Sequence, residues 1–230
     1  MNDIPKISKR LEAAASFSRA GKTFADVGTD HAYLPIYLCA SNKSRGGVAS
    51  DINEGPVNRA RLNVRGWGEE KRIEVVRTDG LNGIEKYGAE DIFILGMGGE
   101  LIVKIISDAE WLRQSGIRLI VQPMTHPEAV RRYFYENGFS IIDEALVEEE
   151  KIYQIICAEY SGGRESAGEL ELLIGKKNID KGGELLYKLL GHTRAVFSAR
   201  LEGKQSAGAK ADLEEKILKQ IDEISTEDRK

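Results

Sequence analysis

Five places in this chain set an acid, a glycine or an amide just after a short apolar run. The first lies in Thr23–Leu38, T-F-A-D-V-G-T-D-H-A-Y-L-P-I-Y-L, where Asp26, Gly28, Asp30 and His31 follow one another closely. The others are Asp51-Ile52, Asp79-Gly80, Gly96-Met97-Gly98-Gly99 and Gln122-Pro123-Met124. Each residue type has a use. A carboxylate such as Asp51 can accept from both hydroxyls of a ribose, and Asp79 can accept from the amino group of an adenine. Ile52 can cover a purine face. Gly28 lets the backbone turn tightly or approach a ligand closely. The dinucleotide fingerprint G-x-G-x-x-G is missing, because only Gly28 is present, and Asp26 and Asp30 on either side of it would repel a pyrophosphate. The same acids suit a ligand with a cationic end, such as the amino group and sulfonium of S-adenosylmethionine. The plainer alternative is an ordinary strand-to-helix turn in which Asp30 caps the helix.

Regular elements must carry these groups to one place. Residues 6–19 read as a helix with Ile7, Leu11, Ala14 and Ala15 on one face, stopped by Gly21. Strand and helix patterns then alternate. Strands are expected at Thr23–Val27, Gly47–Ser50, Ile73–Arg77, Asp91–Leu95 and Ile117–Val121, and helices near Ala32–Ala40, Pro56–Arg65, from Gly99 to about Trp111, and Pro127–Asn137. Two β-rich runs, Phe139–Glu148 and Ile152–Tyr160, close the series with only Glu149-Glu150-Lys151 between them, so the last strand must run antiparallel. The expected fold is α/β: a Rossmann-like, doubly wound, seven-stranded methyltransferase sheet whose ligand sits at the carboxyl ends of the strands.

A boundary is expected at Ser161-Gly162-Gly163, giving a domain over residues 1–161 and a helical one over 162–230. After a short helix at Glu169–Ile174, two amphipathic stretches, Leu185–Leu201 and Leu213–Ile224, flank the Gly203–Gly208 loop, which predicts an antiparallel, coiled-coil-like hairpin. Net charge is −4 over 230 residues, with 41% apolar and 30% charged positions. No apolar run approaches the ~20 residues of a membrane span, and the start lacks the apolar core of a signal peptide. Cys39 and Cys157 in apolar surroundings point to free thiols and a cytoplasmic setting. No Cys/His cluster has metal spacing. Charge is uneven: residues 1–80 carry 13 Lys/Arg against 10 Asp/Glu, and residues 81–160 carry 7 against 14. A nucleic-acid footprint must therefore be local.

The runs A-D-V-G-T-D-H-A-Y-L-P-I-Y-L, A-S-D-I-N, R-T-D-G-L, I-L-G-M-G-G-E-L-I and V-Q-P-M resemble the bacterial tRNA (adenine-N1) methyltransferases that act on position 22 of tRNA. The resemblance spans the whole chain and implies S-adenosylmethionine as cofactor and tRNA as partner. Carried over, it implies a cofactor site of Asp26, Gly28, Asp30, His31, Asp51, Ile52, Asp79, Gly80 and Gly96. Gly96–Gly99 stand where many amino-methylating enzymes have an Asp/Asn-Pro-Pro-aromatic motif, which leaves the base contacts open. Asp30, with His31 second, is the expected group for the charge or amino proton of the methylated base. Tyr33, Met97, Gly98 and Gln122 are expected to meet that base, and Arg59, Arg61, Arg65, Lys71 and Arg72 the tRNA backbone. Further basic residues in the tail, such as Arg194, Arg200 and Lys204, extend that expectation. Two other functions share the fold: a methyltransferase for a small molecule or protein, and a non-catalytic adapter that binds S-adenosylmethionine. The sequence sets no oligomeric state, and a monomer is compatible with it.

Overall fold

The computed structural model describes residues 4–227, so the outermost residues of the N-terminal stretch read above lie outside the described residues. Seven strands form one sheet: β1 (Lys22–Val27), β2 (Ser44–Asp51), β3 (Ile73–Arg77), β4 (Asp91–Gly98), β5 (Arg118–Thr125), β6 (Phe139–Glu148) and β7 (Ile152–Tyr160). Their order is β3-β2-β1-β4-β5-β7-β6, and β7 runs antiparallel to both of its neighbours. The final hairpin inserts its second strand beside β5, so one reversed strand stands between β5 and the edge strand β6, as the short connection required. Helices α1 (Lys9–Ser16), α2 (Tyr33–Ala40), α3 (Glu54–Gly66), α4 (Gly99–Ser107) and α5 (Pro127–Glu136) accompany it. In β1 the last four residues are all buried. That continuous burial fits a central parallel strand covered on both faces. Phe24, Ile36, Leu38, Phe93 and Ile120 join one core cluster with Ala14 and Ala15 of α1, and each large apolar side chain buried there contributes about 1.5–3 kcal/mol.

Several elements end elsewhere than the pattern suggests, for local reasons. Helix α1 is shorter than residues 6–19: Ser8 caps its start, its hydroxyl accepting from Leu11 N at 3.3 Å. At the other end the Ser16 and Ser18 hydroxyls donate to the carbonyls of Ala13 and Ala15. These bonds satisfy terminal carbonyls well before Gly21. Strands β4 and β5 run three or four residues further than expected, through Gly98 and Thr125, with register shifts at Leu95/Met97 and Met97/Gly98. Helix α4 stops at Ser107, and a separate 3-10 turn holds Glu110–Leu112.

The chain divides into two compact units, Met1–Ser166 and Ala167–Lys230. In the second, α6 (Glu169–Ile174), α7 (Lys176–Lys181), α8 (Glu184–Ser206) and α9 (Asp212–Glu227) are all helical. Helices α8 and α9 pair antiparallel, with Lys204 bonded to Glu214 and Arg194 to Asp222. The hairpin expected from the sequence is present, but it is not self-sufficient. Helix α6 packs on both of its arms and buries Leu170, Leu172 and Ile174. Helix α7 was not legible in the pattern.

Candidate functional site

At the carboxyl end of β1 the chain leaves the sheet and turns twice before α2. Gly28 N and Thr29 N both donate to the carbonyl of Ser50 at 2.8 Å, which ties this loop to the end of β2. Gly28 has φ +80, and a Cβ there would stand 2.1 Å from the terminal methyl of Met97. Ala32 takes the N-cap position of α2 at φ 55 without any side-chain cap. Asp30 therefore does not cap the helix, and its carboxylate is available for other work. The result is a cleft of about 170 Å³ holding Asp26, Gly28, Asp30, His31, Tyr33 and Gly96.

Electrostatics divide this cleft. Asp26 is only 7% exposed. Burial pushes its carboxyl up to about 6; the hydrogen bond from Thr29 pulls the other way and the charge of Asp51 adds to the rise. A carboxylate kept reluctantly ionised is relieved by any cation placed against it. Asp30 is exposed and held from two sides, by the Arg59 guanidinium and by His31 Nε2 at 3.3 Å. His31 stacks on the exposed Tyr33, their ring centroids 5.1 Å apart and nearly parallel at 9°. That pair is a flat surface at the mouth of the cleft, the shape that takes another planar ring.

One residue of the cleft was missed by reading strand ends. Arg10 reaches in from α1 and donates through Nη1 to Gln122 Oε1 at 2.6 Å. Its Nε is buried and makes no hydrogen bond. The pair Arg10 and Asp26 gives one cleft both a cation and an anion, which matches an amino-acid zwitterion. The only sequence signal was a cation beside Leu11 on the inward face of the first helix, and strand-end logic does not look there.

The remaining expected residues fall in several places. Asp79 and Gly80 line a second cleft, about 310 Å³, with Leu101, Lys104 and Ile105 of α4. Asp51 turns its carboxylate to its own loop, accepting from Asn53 N at 2.7 Å, while Ile52 is 51% exposed. Gln122 is fully buried; besides accepting from Arg10 it donates to the Pro123 carbonyl at 2.9 Å. Met97 covers Gly28, and Gly98 precedes α4. Gly96 turns at φ +76, where a Cβ would meet Arg10 Nη1 at 3.4 Å. Gly99 has a packing role: a Cβ there would lie 2.2 Å from the His126 carbonyl. Arg59 sits on Asp30, whereas Arg65 lies at the far end of α3 in a different cleft. Among the described residues no group of three His, Cys, Asp or Glu side chains could hold a metal ion.

Residues 7–156 match the model of a methyltransferase domain family. Over 96% of this chain and 98% of the relative, the sequence is 33% identical to the tRNA (adenine(22)-N(1))-methyltransferase of Bacillus subtilis. The chain belongs to that family. The crystal structure of the B. subtilis m1A22 tRNA methyltransferase TrmK superposes with a TM-score of 0.82 at 31% identity, covering 96% of each chain. Sp1610 of Streptococcus pneumoniae, solved in complex with S-adenosyl-L-methionine, gives a TM-score of 0.82 at 30% identity over 93% of this chain and all of that one. The matched length thus extends over both compact units.

Proposed function

We propose that this protein transfers a methyl group from S-adenosylmethionine to N1 of adenine 22 in tRNA. One observation carries the reading within the family: the cleft beside Gly28 offers Arg10 and a buried Asp26 together, a match for the carboxylate and ammonium of a methionyl end. The residues fit the cofactor in other ways. Asp51 suits the ribose, Ile52 and Gly80 suit the purine faces, and Asp79 suits the adenine amino group. When bound, S-adenosylmethionine supplies an electrophilic methyl on a sulfonium.

Adenine N1 carries an in-plane lone pair, so the chain's task is to hold the base in line and keep water out. The stacked His31–Tyr33 pair gives a face for the extruded base, which must leave its stack to be reached. Methylation leaves positive charge on the base. The Asp30 carboxylate offsets that charge or accepts a proton from the exocyclic amino group, and Arg59 and His31 hold it in place. Gln122, saturated by Arg10 and its own neighbour, acts by fixing the Arg10 guanidinium. Arg59 in this reading positions Asp30 instead of gripping backbone phosphate.

The partner is tRNA, and a tRNA substrate sets the enzyme's work in the cytoplasm. No described helix is long and apolar enough to cross a membrane. Total bacterial tRNA incubated with the protein and labelled S-adenosylmethionine, then digested to nucleosides, is expected to yield labelled 1-methyladenosine. Label in any other nucleoside, or in none, refutes the reading.

A further inference from the structure

A larger cleft, about 580 Å³, opens at the opposite edge of the same sheet, where β2 and β3 begin. Five cations border it: Arg45, Arg61, Arg65, Lys71 and Arg72. Three of them have partners. Arg45 pairs with Glu90 at 3.0 Å, Arg72 donates to both carboxylate oxygens of Glu69 at 2.5 and 2.7 Å, and Arg61 donates to the Val75 carbonyl at 3.2 Å. Among the described residues the side chains of Arg65 and Lys71 make no hydrogen bond or ion pair. Two acids also line the cleft, Glu70 and Glu74, and Glu74 accepts from the Tyr87 hydroxyl at 2.9 Å. Counting Glu69 and Glu90 with them, five cations meet four acids, and the cations left without an acid partner include Arg65 and Lys71. A single cation in the last turn of α3 is what its dipole attracts; five around one cleft, in a protein of net charge −4, exceed that need.

We propose that this cleft seats the phosphodiester backbone of the tRNA at a distance from the reacting base. The inference rests on the function proposed above and adds where the polyanion lies. Along β2, Gly46 at the basic cleft and Asp51 at the ligand edge are five residues apart, about 17 Å at 3.3 Å per residue. A duplex with the ~3.4 Å spacing of DNA covers that length in about five base pairs, so one arm of a tRNA is long enough to reach from one edge of the sheet to the other. Phosphate contacts of this kind fix orientation without reading sequence. Arg65 and Lys71, not engaged elsewhere, are the two cations with most to gain.

The full-length double variant Arg65→Gln/Lys71→Gln tests this, with Lys6→Gln/Arg113→Gln as a charge-matched control on other surfaces. Fluorescence anisotropy with labelled tRNA between 50 and 200 mM KCl is expected to show about tenfold weaker binding for the double variant, and a log–log salt slope smaller by about 2. KM for tRNA rises with it, while kcat at saturating tRNA and calorimetric affinity for S-adenosylmethionine stay at wild-type values. A double variant that methylates tRNA with wild-type affinity and salt slope overturns the cleft and leaves the function standing. An equal loss in the control also overturns it, since bulk charge would then be the cause. A wild-type protein that neither binds nor methylates tRNA overturns both.

Discussion

Asp26 buries a carboxylate that water would keep ionised, and among the described residues it forms no ion pair, Arg10 of the same cleft being bonded to Gln122. Its folded pKa, about 6, lies above the ordinary value of 3.8. Between those values the native state holds a proton that the unfolded chain has lost, so ligand-free stability falls as pH rises from about 4 to 6 and is level above. Asp26→Asn removes that fall. The expected result is a variant more stable than wild type above pH 6, by an amount of order 1–3 kcal/mol, and equal to it near pH 4, read from melting curves across pH. The same variant loses S-adenosylmethionine binding, and in wild type that affinity weakens below pH 6 as Asp26 takes its proton. A variant less stable than wild type at pH 8 contradicts this account. For Arg10, the expectation is that Arg10→Gln weakens cofactor binding by about 10–150-fold, the worth of one charge-assisted hydrogen bond, with tRNA affinity unchanged. Calorimetry with the cofactor and anisotropy with tRNA separate the two. Neither cysteine competes for a role: burial pushes the thiols of Cys39 and Cys157 up to about 12, where thiolate is scarce at neutral pH.

The elements were legible where burial follows a simple period. The run at Phe24–Val27 reads as a buried strand because both of its faces are covered, and the three-residue gap before β7 can only be a reversal. What the pattern could not show is side-chain chemistry that overrides period. Helix α1 ends at Ser16 because serine hydroxyls satisfy its last carbonyls. The Gly96–Gly99 run looked like one ligand-binding loop and is two things. Gly96 turns beside Arg10, whereas Gly99 lets the first turn of α4 meet the backbone of His126. That division predicts a contrast. Gly99→Ala forces a Cβ onto backbone and is expected to cost more than 2 kcal/mol, as overpacking against an atom that cannot rotate away. Gly66→Ala, at the end of α3 with open space around its Cβ, is expected to be neutral or stabilising by about 0.4–1 kcal/mol. Equal effects in urea denaturation would contradict the packing role of Gly99. Arg10 and the Arg59–Asp30 pair escaped the sequence reading for a related reason: both bring a helix residue to a strand end, and only the packed fold records that meeting.

At the scale of the whole molecule, charge and architecture separate the tasks. The first 80 residues, which are net positive, supply most of the lining of both the Gly28 cleft and the basic cleft; residues 81–160 are net negative. The first compact unit contains every residue assigned here to the cofactor, and its last turn is tied down by Glu165, whose N–H donates to the Tyr135 carbonyl at 3.0 Å. A chain ending at Ser166 is accordingly expected to keep its affinity for S-adenosylmethionine in calorimetry and, as the basic residues of the helical unit suggest, to lose tRNA binding. Loss of cofactor affinity in that shortened chain would count against the division. The central claim is methyl transfer to one nitrogen of one nucleotide. Its most direct measurement compares two tRNA transcripts, one with adenine and one with guanine at position 22, each incubated with labelled S-adenosylmethionine and mapped by mass spectrometry after nuclease digestion. The account predicts one methyl per adenine-22 transcript, at N1 of that base, and none on the guanine-22 transcript. Equal methylation of both, or label at another position, would contradict it.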